Sequence, residues 1–352
     1  MYLLFQFFDV NIFQYITLRA GIAFFISFAL SIYFLPKFIA WLKEKEANQP
    51  IYELAPSSHQ EKAITPTMGG IVFILTAIFA SLLTMRLDNI YAIGAILTLV
   101  LFMAIGFKDD YDKITKDSNQ AGLSSRKKFI LQIISGAMIA MFLYLNDFTT
   151  ELYIPLYKHA LYTMGFGAVI FWVFIFTATS NAVNLTDGLD GLATVPAIFS
   201  ISTLAIFAYL IGHAIFSKYL LLPNIQGVGE LVVVASALLG SLIAFLWYNS
   251  HPAEIFMGDS GSLALGGFIA YMAIVTKSEF LLVLIGFVFV LETVSVILQV
   301  GSYKARKRRI FKMAPIHHHF EMKGWAENKI IVRFWIMAFI SNILAIISLK
   351  IR

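Results

Sequence analysis

The sequence predicts an all-α integral membrane protein with about ten transmembrane helices, both termini periplasmic, and five cytoplasmic loops that form the active site. Three observations carry this. Of the 352 residues, 59% are apolar and only 13% charged, where a soluble protein of this size carries about a quarter charged. The apolar residues come in long uninterrupted runs. Basic residues gather on alternate connections between those runs. The runs must be helices, because in lipid only a helix satisfies its own backbone hydrogen bonds within one segment.

The predicted spans are Leu18–Ala40, Gly69–Met85, Ile90–Phe107, Phe129–Leu145, Phe166–Ala182, Leu192–Ile211, Leu231–Tyr248, Gly261–Val275, Phe280–Val300 and Phe334–Leu349. Each is long enough, or nearly so, to cross a hydrocarbon core about 30 Å thick; Gly261–Val275 is the shortest. The residues before the first span lack a basic leader and a small-residue cleavage site, and are expected to lie at the interface rather than to be removed. Numbering the connections alternately places 19 of the 26 Lys and Arg on one side. The other side holds Arg19, Arg86, Lys158, Lys218, Lys277, Lys350 and Arg352. Positive charge marks the cytoplasm, so five loops face inward. No linker, low-complexity tract or repeat divides the chain, and residues 1–352 are expected to form one polytopic domain. In the outer segment Asn146–Gly165, Leu152-Tyr153-Ile154 reads as a short strand.

Of the 21 Asp and Glu, 14 lie in the five cytoplasmic loops, and one, Glu292, lies within a span. The absence of cysteine excludes disulfides, thiolate catalysis and cysteine metal sites. The net charge of +5 follows the positive-inside pattern, so no nucleic acid is expected.

The first loop carries Lys62 and then Thr65-Pro66-Thr67-Met68-Gly69-Gly70, a shaped turn at a helix entrance. Lys62 there is either a point charge for phosphate or part of an ordinary basic loop. The second carries Asp109-Asp110-Tyr111-Asp112. Such crowding raises proton affinity unless a cation intervenes, so it reads as a magnesium or phosphate site or as a solvated helix cap. Asp109 and Asp112, three apart, are expected to share a face, with Asp110 pointing elsewhere. Arg126, Lys127 and Lys128 downstream read as a cytoplasmic anchor in preference to a substrate role. The third, Asn181-Ala182-Val183-Asn184-Leu185-Thr186-Asp187-Gly188-Leu189-Asp190-Gly191, has two acids and two amides but no Lys or Arg. Its glycines let backbone approach a ligand, and function is favoured over Asx turns alone.

The fourth loop, Phe256-Met257-Gly258-Asp259-Ser260-Gly261, puts an acid at a helix start. Asp259 suits a hard cation bridging to a diphosphate, and is equally a good N-cap. The fifth has the basic run Lys304-Ala305-Arg306-Lys307-Arg308-Arg309, which reads as a headgroup anchor, and then His317-His318-His319. Three consecutive residues do not present three ligands to one metal, so phosphate contact or proton transfer by one or two of them is expected. Glu292 is either a functional intramembrane carboxylate or an inward structural hydrogen bond.

A secondary transporter would place its ionisable groups near the bilayer midplane on broken helices, and a channel would show pore-lining rings. Acids, amides and histidines at one lipid–water boundary suit an enzyme joining a soluble donor to a lipid acceptor.

The strings Thr65-Pro66-Thr67-Met68-Gly69-Gly70, Asp109-Asp110, Asn184-x-x-Asp187-Gly188-Leu189-Asp190-Gly191, Met257-Gly258-Asp259-Ser260-Gly261 and Pro315-Ile316-His317-His318-His319-Phe320-Glu321 resemble the polyprenyl-phosphate N-acetylhexosamine-1-phosphate transferases, and within them the branch of bacterial peptidoglycan synthesis. One departure is Ile64, where that family usually has Gly. The resemblance implies transfer of phospho-N-acetylmuramoyl-pentapeptide from UDP-N-acetylmuramoyl-pentapeptide to undecaprenyl phosphate, giving lipid I and UMP at the bacterial inner membrane. It implies Mg2+ and a homodimer. It casts Asp109 and Asp110 as the catalytic pair, Asp259 as the magnesium ligand and His317 as an essential histidine. Lys62, Gly188, Leu189, Asp190 and Phe256 match the nucleotide pocket, and Thr67, Asn181, Asn184, Asp187, His318 and His319 match positions lining the same cleft. The alternative donor is UDP-N-acetylglucosamine.

Overall fold

The computed structural model describes residue 2 and residues 11–45, 65–115, 122–155 and 157–351. Lys62 and Ile64 lie outside the described residues. The chain is an all-α integral membrane protein, with nine helices long and apolar enough to cross a membrane among the described residues. In chain order they are α1 (Ile16–Glu44), α3 (Ile90–Thr115), α4 (Ser125–Leu145), α5 (Gly167–Thr186), α6 (Thr194–Gly212), α8 (Leu231–Asn249), α9 (Gly258–Val275), α11 (Phe287–Arg306) and α13 (Glu327–Ile347). Between them run α2 (Gly69–Thr84), α7 (Ala214–Leu220), α10 (Leu282–Ile285) and α12 (Ile316–Glu321).

Each of the ten predicted stretches is helical, with two differences. The span over Phe280–Val300 is split at Gly286 into α10 and α11. The span at Gly69 is a helix of 16 residues, about 24 Å at the α-helical rise. The expected strand forms one residue earlier: Glu151–Leu152 pairs antiparallel with Tyr162–Thr163.

The predicted span of shortest length, in α9, is the pillar of the fold. Every residue from Ser260 to Val275 is buried, and α9 packs on α2, α3, α5 and α6. Its low hydropathy has the same cause as its position. Gly, Ser and Ala let neighbouring helices approach closely, as they do in helix packing within membranes. Around it, α1 packs on α2 and α8, α4 on α5, α11 on α5, and α13 on α6. Large apolar side chains such as Phe25, Phe79, Ile170, Phe174 and Trp247 point outward, as a lipid-facing surface requires.

The bundle has two polar ends. One carries Arg19, Thr84, Arg86 and Glu230. The other carries the C-terminus of α3, the N-termini of α4 and α9, the α5–α6 loop and α12.

Candidate active site

The site is built on the first turn of α9. Helix N-termini leave backbone N–H groups without partners, and Asp110 supplies acceptors from another helix. Near the C-terminus of α3, its Oδ1 accepts from Asp259 N at 3.0 Å and its Oδ2 from Ser260 N at 2.9 Å. The two helices must nearly touch for this. One turn before Asp110, a Cβ on Gly106 would fall 2.1 Å from the carbonyl oxygen of Asp259, so no larger residue fits.

Three carboxylates converge there. Asp109, Asp110 and Asp259 each offer an oxygen within 4.8 Å of the others. Asp109 is fully buried. Its Oδ1 accepts from Leu123 N at 2.7 Å, and its Oδ2 lies 2.6 Å from Lys113 Nζ and 3.1 Å from Lys128 Nζ. Asp259 Oδ2 contacts the same two ammonium groups, Lys113 at 3.3 Å and Lys128 closer. Asp259 Oδ1 accepts from Asn184 Nδ2 at 2.7 Å, and that amide also reaches Ser262 Oγ at 2.9 Å. Asp109 and Asp110 therefore both face inward. The expected sharing of a face by Asp109 and Asp112 fails, because Asp112 pairs instead with Lys108 at 2.8 Å on the outside of the helix turn.

Asp187 follows the last residue of α5. Burial, then the charges of Asp259, Asp110 and Asp190, push its carboxyl up to about 8. Asp109 and Asp259 thus share two ammonium groups, while Asp187 is raised by burial first and by its neighbouring carboxylates second.

The histidines take three different partners. His317 is buried, with Nδ1 3.1 Å from the equally buried Glu292 Oε2. A Cβ on Gly188 would lie 2.4 Å from His317 Nε2, so the bare backbone of Gly188 is what admits the imidazole to the α5–α6 loop. His318 Nδ1 meets Glu321 Oε2 at 2.5 Å. His319 Nδ1 accepts from Lys312 N at 3.0 Å. Burial, then Lys323 and Lys312, hold His319 below the usual imidazole range, which suits an acceptor.

Asp190 belongs to a neighbouring cluster. Its Oδ2 meets His251 Nδ1 at 2.9 Å and accepts from Ala253 N at 3.1 Å, while Glu327 Oε1 accepts from Asp190 N at 3.3 Å. Leu189 is buried with Leu192, Ile331 and Phe334. Asn181 is turned to α4, where Gln132 Oε1 accepts from its Nδ2 at 2.7 Å. Phe256 N donates to Pro66 O at 2.8 Å, and Phe256 O accepts from Gly69 N at 2.9 Å. That ladder brings Thr67 to Gly258, whose added Cβ would lie 3.0 Å from Thr67 Oγ1 and 2.6 Å from Asp110 Oδ2.

Sequence reasoning missed Lys113 and misread Lys128 as an anchor. Lys113 was within reach: it stands four residues after Asp109 on one helix, the ion-pair spacing. Lys128, Gln132, His251 and Glu327 carry no local signal, because their partners lie on other elements.

Two groups among the described residues could hold a metal ion: Asp109, Asp110 and Asp259, and Asp190, His251 and Glu327. The first fits a hard divalent cation by donor chemistry, being all carboxylate oxygen. Two ammonium groups already sit against Asp109 and Asp259, which shows that the pocket draws cations. Asp110 spends both oxygens on α9, so Asp259 and Asp109 would be the principal ligands.

A buried acid cluster at one end of a polytopic helical bundle suits a membrane-embedded enzyme handling phosphate and a divalent cation. The sequence model of glycosyl transferase family 4 matches residues 92–277, and the chain belongs to that family. Over its whole length it is 62% identical to the phospho-N-acetylmuramoyl-pentapeptide-transferase of Aliarcobacter butzleri, with 99% of that protein covered. It is 59% identical to the enzyme of that name from Campylobacter curvus, with all of this chain and 99% of that protein covered. For the one from Nitratiruptor sp. the identity is 60% and both chains are covered in full.

Proposed function

We infer that this chain transfers phospho-N-acetylmuramoyl-pentapeptide from its UDP carrier to undecaprenyl phosphate, giving lipid I and UMP. Full-length identity of about 60% to transferases of that name supports the reaction. The observation that carries the chemistry is the convergence of Asp109, Asp110 and Asp259 at the first turn of α9, where Lys113 and Lys128 pair with Asp109 and Asp259.

Phosphoryl transfer needs positioning and charge neutralisation more than covalent work by the protein. Bound Mg2+, held by Asp259 with Asp109 beside it, would neutralise the donor diphosphate and the leaving UMP. The chain's own residues do the rest. Asp110 fixes the first turn of α9 and hence the direction of Asp259. Asn184 fixes the Asp259 carboxylate in the plane. Lys113 and Lys128 partly offset the acids and take up phosphate oxygens as the substrates enter. Asp109, whose Oδ2 faces the cations and not the backbone, orients or deprotonates the lipid phosphate. His317, set by Glu292, donates to a phosphate oxygen across Gly188. His318, His319 and Thr67 line the same cleft. Asp190, Leu189, Phe256 and Lys62 serve the nucleotide, and Asn181 braces Asn184 through α5.

The Lys and Arg asymmetry supports a cytoplasmic position for this end of the bundle, and the reading goes with the bacterial inner membrane, periplasmic termini and a single domain. Assembly as a homodimer goes with this reading. The test offers UDP-N-acetylmuramoyl-pentapeptide and UDP-N-acetylglucosamine separately to purified protein with undecaprenyl phosphate and Mg2+. Lipid I formation and UMP release from the first donor only are expected. Turnover of UDP-N-acetylglucosamine alone overturns the donor assignment.

A further inference from the structure

The C-terminal end of α11 carries a charge pattern that the transfer reaction does not use. Between Glu292 and Glu321 there is no acidic residue, and Lys304, Arg306, Lys307, Arg308, Arg309 and Lys312 fall in that interval. All six are exposed, and none makes an ion pair among the described residues.

These cations are displayed by a built turn. Lys307 adopts a left-handed conformation (φ 53°) that ends α11. The chain then doubles back. Gln299 Oε1 accepts from Ile310 N and Phe311 N, both at 2.9 Å, and Gln299 Nε2 donates to Phe311 O at 3.0 Å. Ser302 Oγ donates to Arg308 O at 2.8 Å. Polar residues about one and two turns inside the helix, Ser302 and Gln299, thus pin the segment after it, and the basic residues stand on both limbs of one turn.

The same turn is apolar on its outward side. Ile297 is 63% exposed, and Leu298, Val300, Tyr303 and Ile310 are exposed with it. Apolar side chains leading directly into cations are the signature of a segment at the hydrocarbon–headgroup boundary, where long basic side chains reach toward phosphates.

We propose that the Lys304–Lys312 turn is a docking surface for the anionic phosphate headgroups of the surrounding phospholipid leaflet. Charge complementarity and the unbroken apolar face of α11 fix the occupant as lipid already in the bilayer, not soluble phosphate. The inference is independent of the transfer reaction.

The test uses the full-length protein in nanodiscs of phosphatidylcholine with a minor fraction of spin-labelled phosphatidylglycerol or spin-labelled phosphatidylcholine. Electron paramagnetic resonance reads the motionally restricted fraction of each. Wild type is expected to restrict the anionic lipid preferentially. In Lys304→Gln/Arg308→Gln/Arg309→Gln that preference should fall at least about twofold, each surface cation being worth up to about fivefold. Arg308→Lys/Arg309→Lys should keep it, and so should Lys43→Gln/Lys45→Gln at the end of α1. Should the triple variant not fold, wild type in 0.5 M NaCl decides, because the screening length falls to roughly 4 Å there and the preference should vanish. A preference unchanged in the triple variant, unchanged by salt, or lost equally in the α1 variant overturns the proposal. Soluble inorganic phosphate at millimolar concentration should leave the preference intact; its loss would also overturn the assignment to lipid.

Discussion

Both ends of the bundle bury charge, and they do so in opposite ways. At one end Arg19 and Glu230 are 1% and 3% exposed and pair one to one. Arg19 Nη2 lies 2.9 Å from Glu230 Oε2, Arg19 Nη1 also reaches Thr84 O at 3.2 Å, and Arg86 N donates to Glu230 Oε1 at 2.7 Å. The charges cancel, and the pair ties α1 to the residues before α8. At the other end Asp109, Asp110 and Asp259 converge, and Lys113 and Lys128 are the cations paired with them among the described residues, so carboxylates outnumber ammonium groups. A balanced buried pair is a structural tie. An unbalanced one is a demand for a cation, and it is met when substrate and metal arrive.

The largest expected effect breaks the unbalanced end. Asp259→Asn should lower kcat/KM for the Mg2+-dependent transfer about a hundred- to a thousandfold, on the scale seen when a group aimed at transition-state charge is removed. Its unfolding midpoint should fall modestly, because Lys113 and Lys128 lose a carboxylate partner. Steady-state UMP release with thermal unfolding in detergent checks both. Wild-type turnover in the variant would remove Asp259 from the chemistry.

Next comes the balanced end. Arg19→Met should destabilise by about 3–5 kcal/mol, because it leaves Glu230 buried without its paired charge. Arg19→Met/Glu230→Leu should recover most of that loss. Specific activity per folded molecule should be unchanged in both. Denaturant unfolding measures the recovery, and its absence would mean that the pair does more than cancel charge.

How far these contrasts are legible in the sequence differs by end. The aspartates were legible because acids flanked by glycine at a helix start are expensive without a purpose. The shortest predicted span, α9, proved the most buried, since hydropathy measures contact with lipid and α9 has little. Lys128 was not legible as a partner of Asp259, because its position before a span satisfies the positive-inside rule equally well. Arg19 and Glu230 are 211 residues apart, and no local pattern joins them. Glu292 stood out as an intramembrane acid, but its partner, His317, came only with the fold.

A smaller effect tests that last pairing. Glu292→Gln should lower kcat about ten- to a hundredfold with little change in donor KM, as removal of an orienting partner does. Gly188→Ala should do the same by pushing His317 aside. A rise in KM alone would assign both residues to binding.

The smallest effect is a pH dependence. Asp187 is raised to about 8, so its ionisation costs the folded state stability. That cost is absent below the unfolded carboxyl value near pH 4, grows as pH rises, and is complete above pH 8. Without divalent cation, Asp187→Asn should therefore gain thermal stability over wild type progressively from pH 4 to pH 8 and level off beyond. A difference independent of pH would contradict the raised value.

The excess of carboxylate at the first turn of α9 is tested most directly by Mn2+ binding, read by electron paramagnetic resonance on the full chain in detergent. Wild type should bind the ion, Asp259→Asn should lose that binding, and Asp190→Asn, at the neighbouring cluster, should keep it. Binding that survives Asp259→Asn but disappears in Asp190→Asn would move the metal to Asp190, His251 and Glu327 and contradict the account.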